Sequence, residues 1–241
     1  MVKKHIYPSQ RLHEDLRAMI MAAKPGDKLP AEPELAKQLG VARATLREAM
    51  RTFETLGLLY RRQGSGTIVI HPNVIDTGLE VLESIETVAS RMGLSVSMGD
   101  LKVNEGFPTG EEATALGISA DESVVRISRV IRAEGHPAAY LVDILPEDIL
   151  TPNDLKNGFT GSVLDLLLRR GAPPLSTSRT ELNAITASVD VARPLGIQRG
   201  DVLLRFIAQL YTTSGRVVDY SFSYFLPGYF KFHIVRRVGN R

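Results

Sequence analysis

The sequence predicts an α+β protein in two parts: a small helical head closed by a β-hairpin, and a larger body of antiparallel strands interrupted by short helices. Three observations predict it. Within the first seventy positions, apolar residues recur at helical spacing in three successive segments. Beyond them, seven β-prone segments alternate with short helical stretches and hairpin-type turns. A length of 241 residues, 44% of them hydrophobic and 23% charged, is enough for two modest domains that each bury a core.

The elements of the head can be justified in order. Leu12, Leu16, Met19 and Ile20 line one face of a first helix, which Lys24-Pro25-Gly26-Asp27 ends with a turn. A short second helix follows Leu29-Pro30-Ala31-Glu32, with Pro33 in its first turn, where a missing N–H costs little. It carries Leu35, Ala36 and Leu39 and stops at Gly40. Leu46, Ala49, Met50, Phe53 and Leu56 line the third helix, which ends at Gly57. The short Gly40-Val41-Ala42 connection fits a helix-turn-helix. Leu58–Arg62 and Thr67–Ile70 then form a hairpin around Gln63-Gly64-Ser65-Gly66.

His71-Pro72-Asn73 reads as the start of a linker over residues 71–78, which divides a head of 1–70 from a body of 79–241. Leu79, Leu82, Ile85 and Val88 predict a helix ending near Gly93. Strands are expected over 96–104, 123–133, 138–145, 176–188, 202–212, 216–225 and 229–236, and helices over 109–116, 146–150, 161–170 and 189–195. Turns such as Ala133-Glu134-Gly135-His136 and Thr213-Ser214-Gly215-Arg216 make the strands antiparallel.

Composition excludes several classes. Cysteine is absent, so disulfides, thiolate nucleophiles and Cys-ligated metals are ruled out. The five histidines, His5, His13, His71, His136 and His233, show no ligand spacing, and neither a metal nor a cofactor is expected. No apolar run spans a bilayer and no signal-peptide core follows the N-terminus, so a cytoplasmic protein without a membrane partner is expected. Charge is divided unevenly. Residues 1–70 hold twelve Lys/Arg and seven Asp/Glu, a net of +5, whereas the remainder holds seventeen and twenty, a net of −3. A basic head on an acidic body points to a polyanion met by the head alone.

Arg43, Arg47 and Arg51 repeat every four residues, mostly clear of the Leu46–Met50–Phe53 face. A helix buried on one side and cationic on the other can enter a major groove, where guanidinium bonds guanine O6 and N7 or anchors phosphate. Arg61, Arg62 and the glycine-rich tip add a second basic element; together they outweigh the reading of an ordinary solvated charge face.

Leu29-Pro30-Ala31-Glu32, Val41-Ala42-Arg43-Ala44-Thr45-Leu46-Arg47 and Arg61-Arg62-Gln63-Gly64-Ser65-Gly66-Thr67 resemble, in order and spacing, the signatures of GntR-type winged-helix regulators. The resemblance implies a winged helix-turn-helix in which Arg43, Thr45 and Arg47 contact operator DNA and Gly64 and Gly66 shape the wing. Glu32 matches a motif position at the start of the second helix. The chain departs from the pattern at Ala31 and Ala42 (often Ser), at Pro33 (Arg in some members) and at Ser65 (often Lys). These departures remove individual contacts.

Over about residues 79–241 the chain resembles the UTRA effector-binding domain of the HutC subfamily. The carrying segments are Val124–Val130 before Gly135-His136-Pro137, Gly161–Leu167, Ala192–Ile197, Gly200–Leu204, Val218–Ser221 and Tyr224-Phe225. That family implies a chorismate-lyase-like antiparallel sheet with flanking helices, a homodimer, and an effector pocket that places Arg129, Ser162, Asp219 and Tyr224. From the residues themselves each has two readings. Ser162 either binds an anion at a helix start or caps that helix. Arg129 pairs with a ligand carboxylate or phosphate, or forms a surface salt bridge. Asp219 holds a hydroxyl or amine, or faces water; Tyr224 contacts ligand or fills core. Ile131, Leu141 and Gly228 stand where the family tends to carry Arg, Glu and Asp, polar positions that members sensing phosphosugars tend to use, and Leu164 stands where an aromatic is usual. The expected effector is therefore less polar than a phosphosugar, or of another chemical class.

The chain is thus expected to be a sequence-specific DNA-binding regulator, a repressor by family default, that recognises a near-palindromic operator and responds to a small metabolite. The alternatives are a chorismate-lyase-like enzyme domain fused to a DNA-binding head, a GntR-type head on an all-helical metal-binding sensor, and a DNA binder without a ligand. No acid–base or nucleophile motif supports the first, and the β-rich pattern opposes the second.

Overall fold

The computed structural model describes residues 8–62, 66–70, 73–156 and 158–238. Two compact units result: Met1–Asn73 together with Pro227–Tyr229, and Val74–Leu226 together with Phe230–Arg241.

The first unit contains α1 (Pro8–Ala22), α2 (Glu32–Gln38), α3 (Arg43–Thr55), β1 (Leu59–Arg62) and β2 (Gly66–Val69). Its core is the one the periodicity predicts: Leu12, Leu16 and Ile20 from α1, Leu35 and Ala36 from α2, and Leu46, Ala49, Met50 and Phe53 from α3. Each large side chain removed from water here contributes about 1.5–3 kcal/mol, which holds short helices that would fray alone. Gly40 adopts φ +64, the left-handed conformation that ends α2 and turns the chain into α3. The hairpin pairs Leu59 with Val69 through Arg62 with Gly66. Residues 27–29 lie along its other edge, with Leu29 N donating to Thr67 O at 2.9 Å and Val69 N to Asp27 O at 2.8 Å. That pairing satisfies backbone groups which a two-stranded ribbon leaves open.

The second unit is built on a six-stranded antiparallel sheet. Its strands are β4 (Val96–Gly106), β5 (Val124–Ala133), β6 (His136–Pro146), β7 (Leu175–Thr186), β8 (Val202–Thr212) and β9 (Val217–Phe225), in the order β4-β5-β6-β9-β8-β7. Helix α4 (Ile85–Arg91) precedes the sheet; α5 (Gly110–Leu116), α6 (Val163–Arg170) and α7 (Val189–Leu195) interrupt it. Val163 and Leu167 of α6 pack on Val125, Ile127 and Leu145, while Leu116 of α5 packs with Val124, Ile144 and Tyr220. Residues of opposite parity thus face opposite layers, as a pleated strand requires.

Three expectations for this region are corrected. The helix expected from Leu79 begins only at Ile85, because Ser84 caps it: Thr87 N donates to Ser84 Oγ at 2.9 Å. The expected helix over 146–150 is a single turn in which Ile149 N and Leu150 N both reach Pro146 O. Pro152 follows closely and disfavours helical backbone at Thr151, so the chain continues as a 3-10 turn, Pro152–Leu155. Of the expected linker 71–78, His71 and Pro72 lie outside the described residues. Ile75–Gly78 forms β3, parallel to β10 (Phe230–His233). A four-residue strand with a single buried side chain, Ile75, leaves no period in the sequence, and its partner is 155 residues away, as the Lys231–Asp76 pair shows.

Candidate functional site

Two sets of residues are assembled, one in each unit. In the first, α3 buries Leu46, Ala49, Met50 and Phe53 and turns Arg43, Thr45 and Arg47 to the surface. Arg51, the third member of the arginine stripe, is only 25% exposed and lies 3.8 Å from Glu48. Glu32, the first residue of α2, is 17% exposed and engaged from two sides. Arg47 Nε donates to its Oε2 at 2.5 Å, and Arg61 Nη1 lies 3.5 Å from its Oε1. Arg61 also pairs with Glu54 at 3.0 Å. One carboxylate therefore ties the exposed face of α3 to the first strand of the hairpin. With both oxygens turned to arginines of its own chain, Glu32 acts as a positioning group for Arg47 and Arg61. Gly66, at φ +88, has open space around it. Gly64 and the side chain of Arg62 lie outside the described residues.

The second unit contains a cavity of about 530 Å³ on the α6 side of the sheet. Its floor follows from strand pairing. Arg129 stands opposite Leu141, Asp143 opposite Ser221, and Asp219 two residues before Ser221 on β9, so all point to one face. Three of the four sequence-predicted pocket residues, Arg129, Ser162 and Asp219, line it. Ser162 also caps α6, accepting from Asp165 N at 2.9 Å, which is the capping role. Arg129 is 3% exposed, which excludes the surface salt bridge. Its guanidinium donates to Asp143 Oδ2 and to the Gly161 carbonyl.

Tyr224 does not reach this cavity, which corrects its expected place there. It lies five positions after Asp219 on a pleated strand, and an odd separation puts the two on opposite faces. Tyr224 stacks with Tyr140 at 6.1 Å and lines a separate depression with Arg205.

Sequence reasoning missed Glu86, Asp143 and a group of aromatic rings. Asp143 left a signal: it is the one charge in the apolar run Ala138–Pro146. Phe206, Phe225, Phe230 and Phe232 come together from β8, β9 and β10 and line the cavity, with ring centroids 4.7–4.9 Å apart in their closest pairs. Burial raises the pKa of the Asp219 carboxyl well above the ordinary range, and the neighbouring Asp143 charge raises it further, against the lowering by Arg129. Burial likewise raises Glu86, on α4. Glu86 Oε1 and Asp219 Oδ1 are buried without a hydrogen-bond partner among the described residues.

Residues 8–69 match the family described as bacterial regulatory proteins, gntR family, and residues 91–231 match the UTRA domain. The HTH-type transcriptional repressor NagR of Bacillus subtilis is 28% identical over 213 residues, 88% of this chain and 87% of that protein. A histidine utilization repressor of Pseudomonas putida is 30% identical over 192 residues, 80% of this chain and 75% of its own. Among solved structures, PhnF of Mycobacterium smegmatis has the same fold, with a TM-score of 0.65 at 22% identity, covering 95% of this chain and all of that one (100%).

Proposed function

From the membership of this chain in the GntR family of bacterial regulatory proteins, with a UTRA domain behind the DNA-binding head, we propose a transcriptional repressor whose grip on its operator is set by a small molecule bound in the second unit. The observation that carries the reading is α3. Its apolar side is sealed into a three-helix core while Arg43, Thr45 and Arg47 are presented outward beside a basic hairpin. This arrangement supports major-groove entry by α3, with Arg43 and Arg47 bonding base edges or phosphate, Thr45 adding a hydroxyl, and Arg61, Arg62, Gly64 and Gly66 forming a wing along the backbone. Glu32 sets the direction of two of these arginines.

The cavity serves as the effector site, with Arg129, Ser162 and Asp219 in its wall. Chain connectivity supports coupling. The head ends near residue 70, and within sixteen positions the chain supplies Ile75, Thr77, Gly78, Leu79 and Glu86 to the cavity lining. A ligand that orders these residues changes the freedom of the segment leading to the head. By linkage, effector and operator must then alter each other's affinity by the same factor. The protein is read as a homodimer whose two heads meet half-sites of a near-palindromic operator, acting in the cytoplasm and without catalytic activity. No helix among the described residues is long and apolar enough to cross a membrane.

The test is fluorescence anisotropy with duplexes selected from a random pool. The full chain is expected to prefer one near-palindromic sequence over random competitor by at least about 10³-fold, with affinity falling steeply as salt rises. Arg47→Ala should cost about 1–3 kcal/mol on that sequence and much less on random DNA. Equal binding to all duplexes removes the regulator reading.

A further inference from the structure

The cavity is lopsided in charge, and its ligand class follows from that. Among the described residues, five carboxyl groups line it, Glu80, Glu83, Glu86, Asp143 and Asp219, against one cationic residue, Arg129. The single guanidinium is already engaged in the wall by Asp143 and the Gly161 carbonyl. Glu83 is matched by Arg91 at 2.5 Å, and Glu80 accepts the Val235 N–H. Glu86 and Asp219 remain, each with a buried oxygen that lacks a donor among the described residues. Asp219 is only 6% exposed. Glu86 Oε1 lies against Gly161, whose carbonyl accepts from Arg129, and Asp219 stands two residues before Ser221, the cross-strand partner of Asp143, so both flank the same Arg129–Asp143 pair. The other part of the lining is the wall formed by Phe206, Phe225, Phe230 and Phe232.

A phosphate or carboxylate entering here meets a guanidinium already engaged by Asp143 and the Gly161 carbonyl, and two carboxyls that its charge would push further toward protonation. A protonated amine brings positive charge and two or three N–H donors to acceptors that lack them, in a site where such bonds are strong. Its carbon skeleton would cover aromatic surface, and ring faces also favour a cation. Resting on the reading of this cavity as the effector site, we infer that it recognises a small organic cation, with the protonated nitrogen between Asp219 and Glu86 and an apolar or aromatic body against the phenylalanines. In the free protein these two carboxyls, facing Asp143 on β6, Arg129 on β5 and Asp165 on α6, are held toward their protonated forms. Cation binding reverses this: a carboxyl proton leaves for solvent as the ammonium takes its place, so affinity for the amine rises with pH until those carboxyls are ionised in the free protein.

The experiment is titration calorimetry of the full chain with phenethylammonium, 2-phenylethanol, 3-phenylpropionate and glucosamine 6-phosphate. Calorimetry is run in two buffers of different ionisation enthalpy and at several pH values. Phenethylammonium is expected to bind with release of a proton, the alcohol at least about tenfold more weakly, and the two anions not detectably. Asp219→Asn and Glu86→Gln are each expected to weaken ammonium binding by about 10- to 100-fold, and the more accessible Glu86 keeps the test open if the buried variant folds poorly. Absence of ammonium binding, tighter binding of either anion, or an affinity that falls as pH rises overturns the inference. If glucosamine 6-phosphate binds and releases operator while the amine does neither, the cation assignment fails and the effector reading stands. If the amine binds as described but leaves the operator complex intact, the cation site stands and the coupling fails.

Discussion

Replacing Glu32 by Gln separates two effects that one carboxylate has on the DNA-binding face. The side chain keeps its shape but loses its charge, and it is the shared partner of Arg47 at 2.5 Å and Arg61 at 3.5 Å. At 3.5 Å, a unit pair is worth about 1 kcal/mol at the dielectric of water and about 5 kcal/mol at an effective value near 20. Arg47 is 54% exposed and Arg61 37%, so solvent screening puts each pair at the low end, below about 1 kcal/mol. With both pairs lost, folding stability should therefore fall by no more than about 2 kcal/mol. DNA binding should change too, and in opposite senses. Removing a negative charge from a phosphate-facing surface tightens binding to random duplex and steepens the dependence of log K on log salt by up to about 0.9. Releasing Arg47 from its fixed direction loses part of the 1–3 kcal/mol that an aligned arginine–guanine contact provides (order of magnitude). The ratio of operator to random affinity should drop by about 5- to 30-fold, since about 1–2 kcal/mol is lost. Anisotropy titrations on both duplexes across a salt series measure both quantities. An unchanged or improved ratio, with no change in salt slope, would refute the positioning role of Glu32.

Three further outcomes are expected. Met50→Ala, at a position with no solvent exposure, should cost about 2–5 kcal/mol in the head and abolish operator binding, while ligand binding in the second unit persists; thermal melts with and without DNA check this. Gly161→Ala should destabilise the second unit by about 1–3 kcal/mol, because φ is +115 and a Cβ would stand 2.8 Å from Glu86 Oε1 and 3.2 Å from Met98 Cβ; an unchanged unfolding midpoint argues against this geometry. Stability should also depend on pH through Asp219 and Glu86. Both carboxyls are raised by burial, so the folded state binds more protons than the unfolded one. Their contribution is complete below the ordinary carboxylate range and is lost as pH rises toward the raised values, with a slope of at most about 1.4 kcal/mol per pH unit for each proton. Denaturant titrations should show Asp219→Asn with a shallower decline than the parent; an equal slope rules Asp219 out as the source.

Local chemistry decided what could be read from the sequence alone. Three helices, the hairpin, the exposed Arg43 and Arg47 and the seven long-sheet and terminal strands follow from periods of 3.6 and 2, from turn glycines, and from motif spacing within short stretches of chain. The sequence could place Arg129 and Asp219 on strands but could not tell which face each side chain takes relative to a partner strand. Register decided that: it brought Asp143 beneath Arg129, gathered four phenylalanines from three strands, and turned Tyr224 to the opposite layer. The short β3–β10 pairing and the charge of the cavity were hidden for the same reason, since each depends on groups distant in sequence whose burial, not identity, sets their protonation and their need for a partner. Composition made the head basic and the body acidic; only the assembled sheet showed which of the body's carboxyl groups are buried without a donor among the described residues.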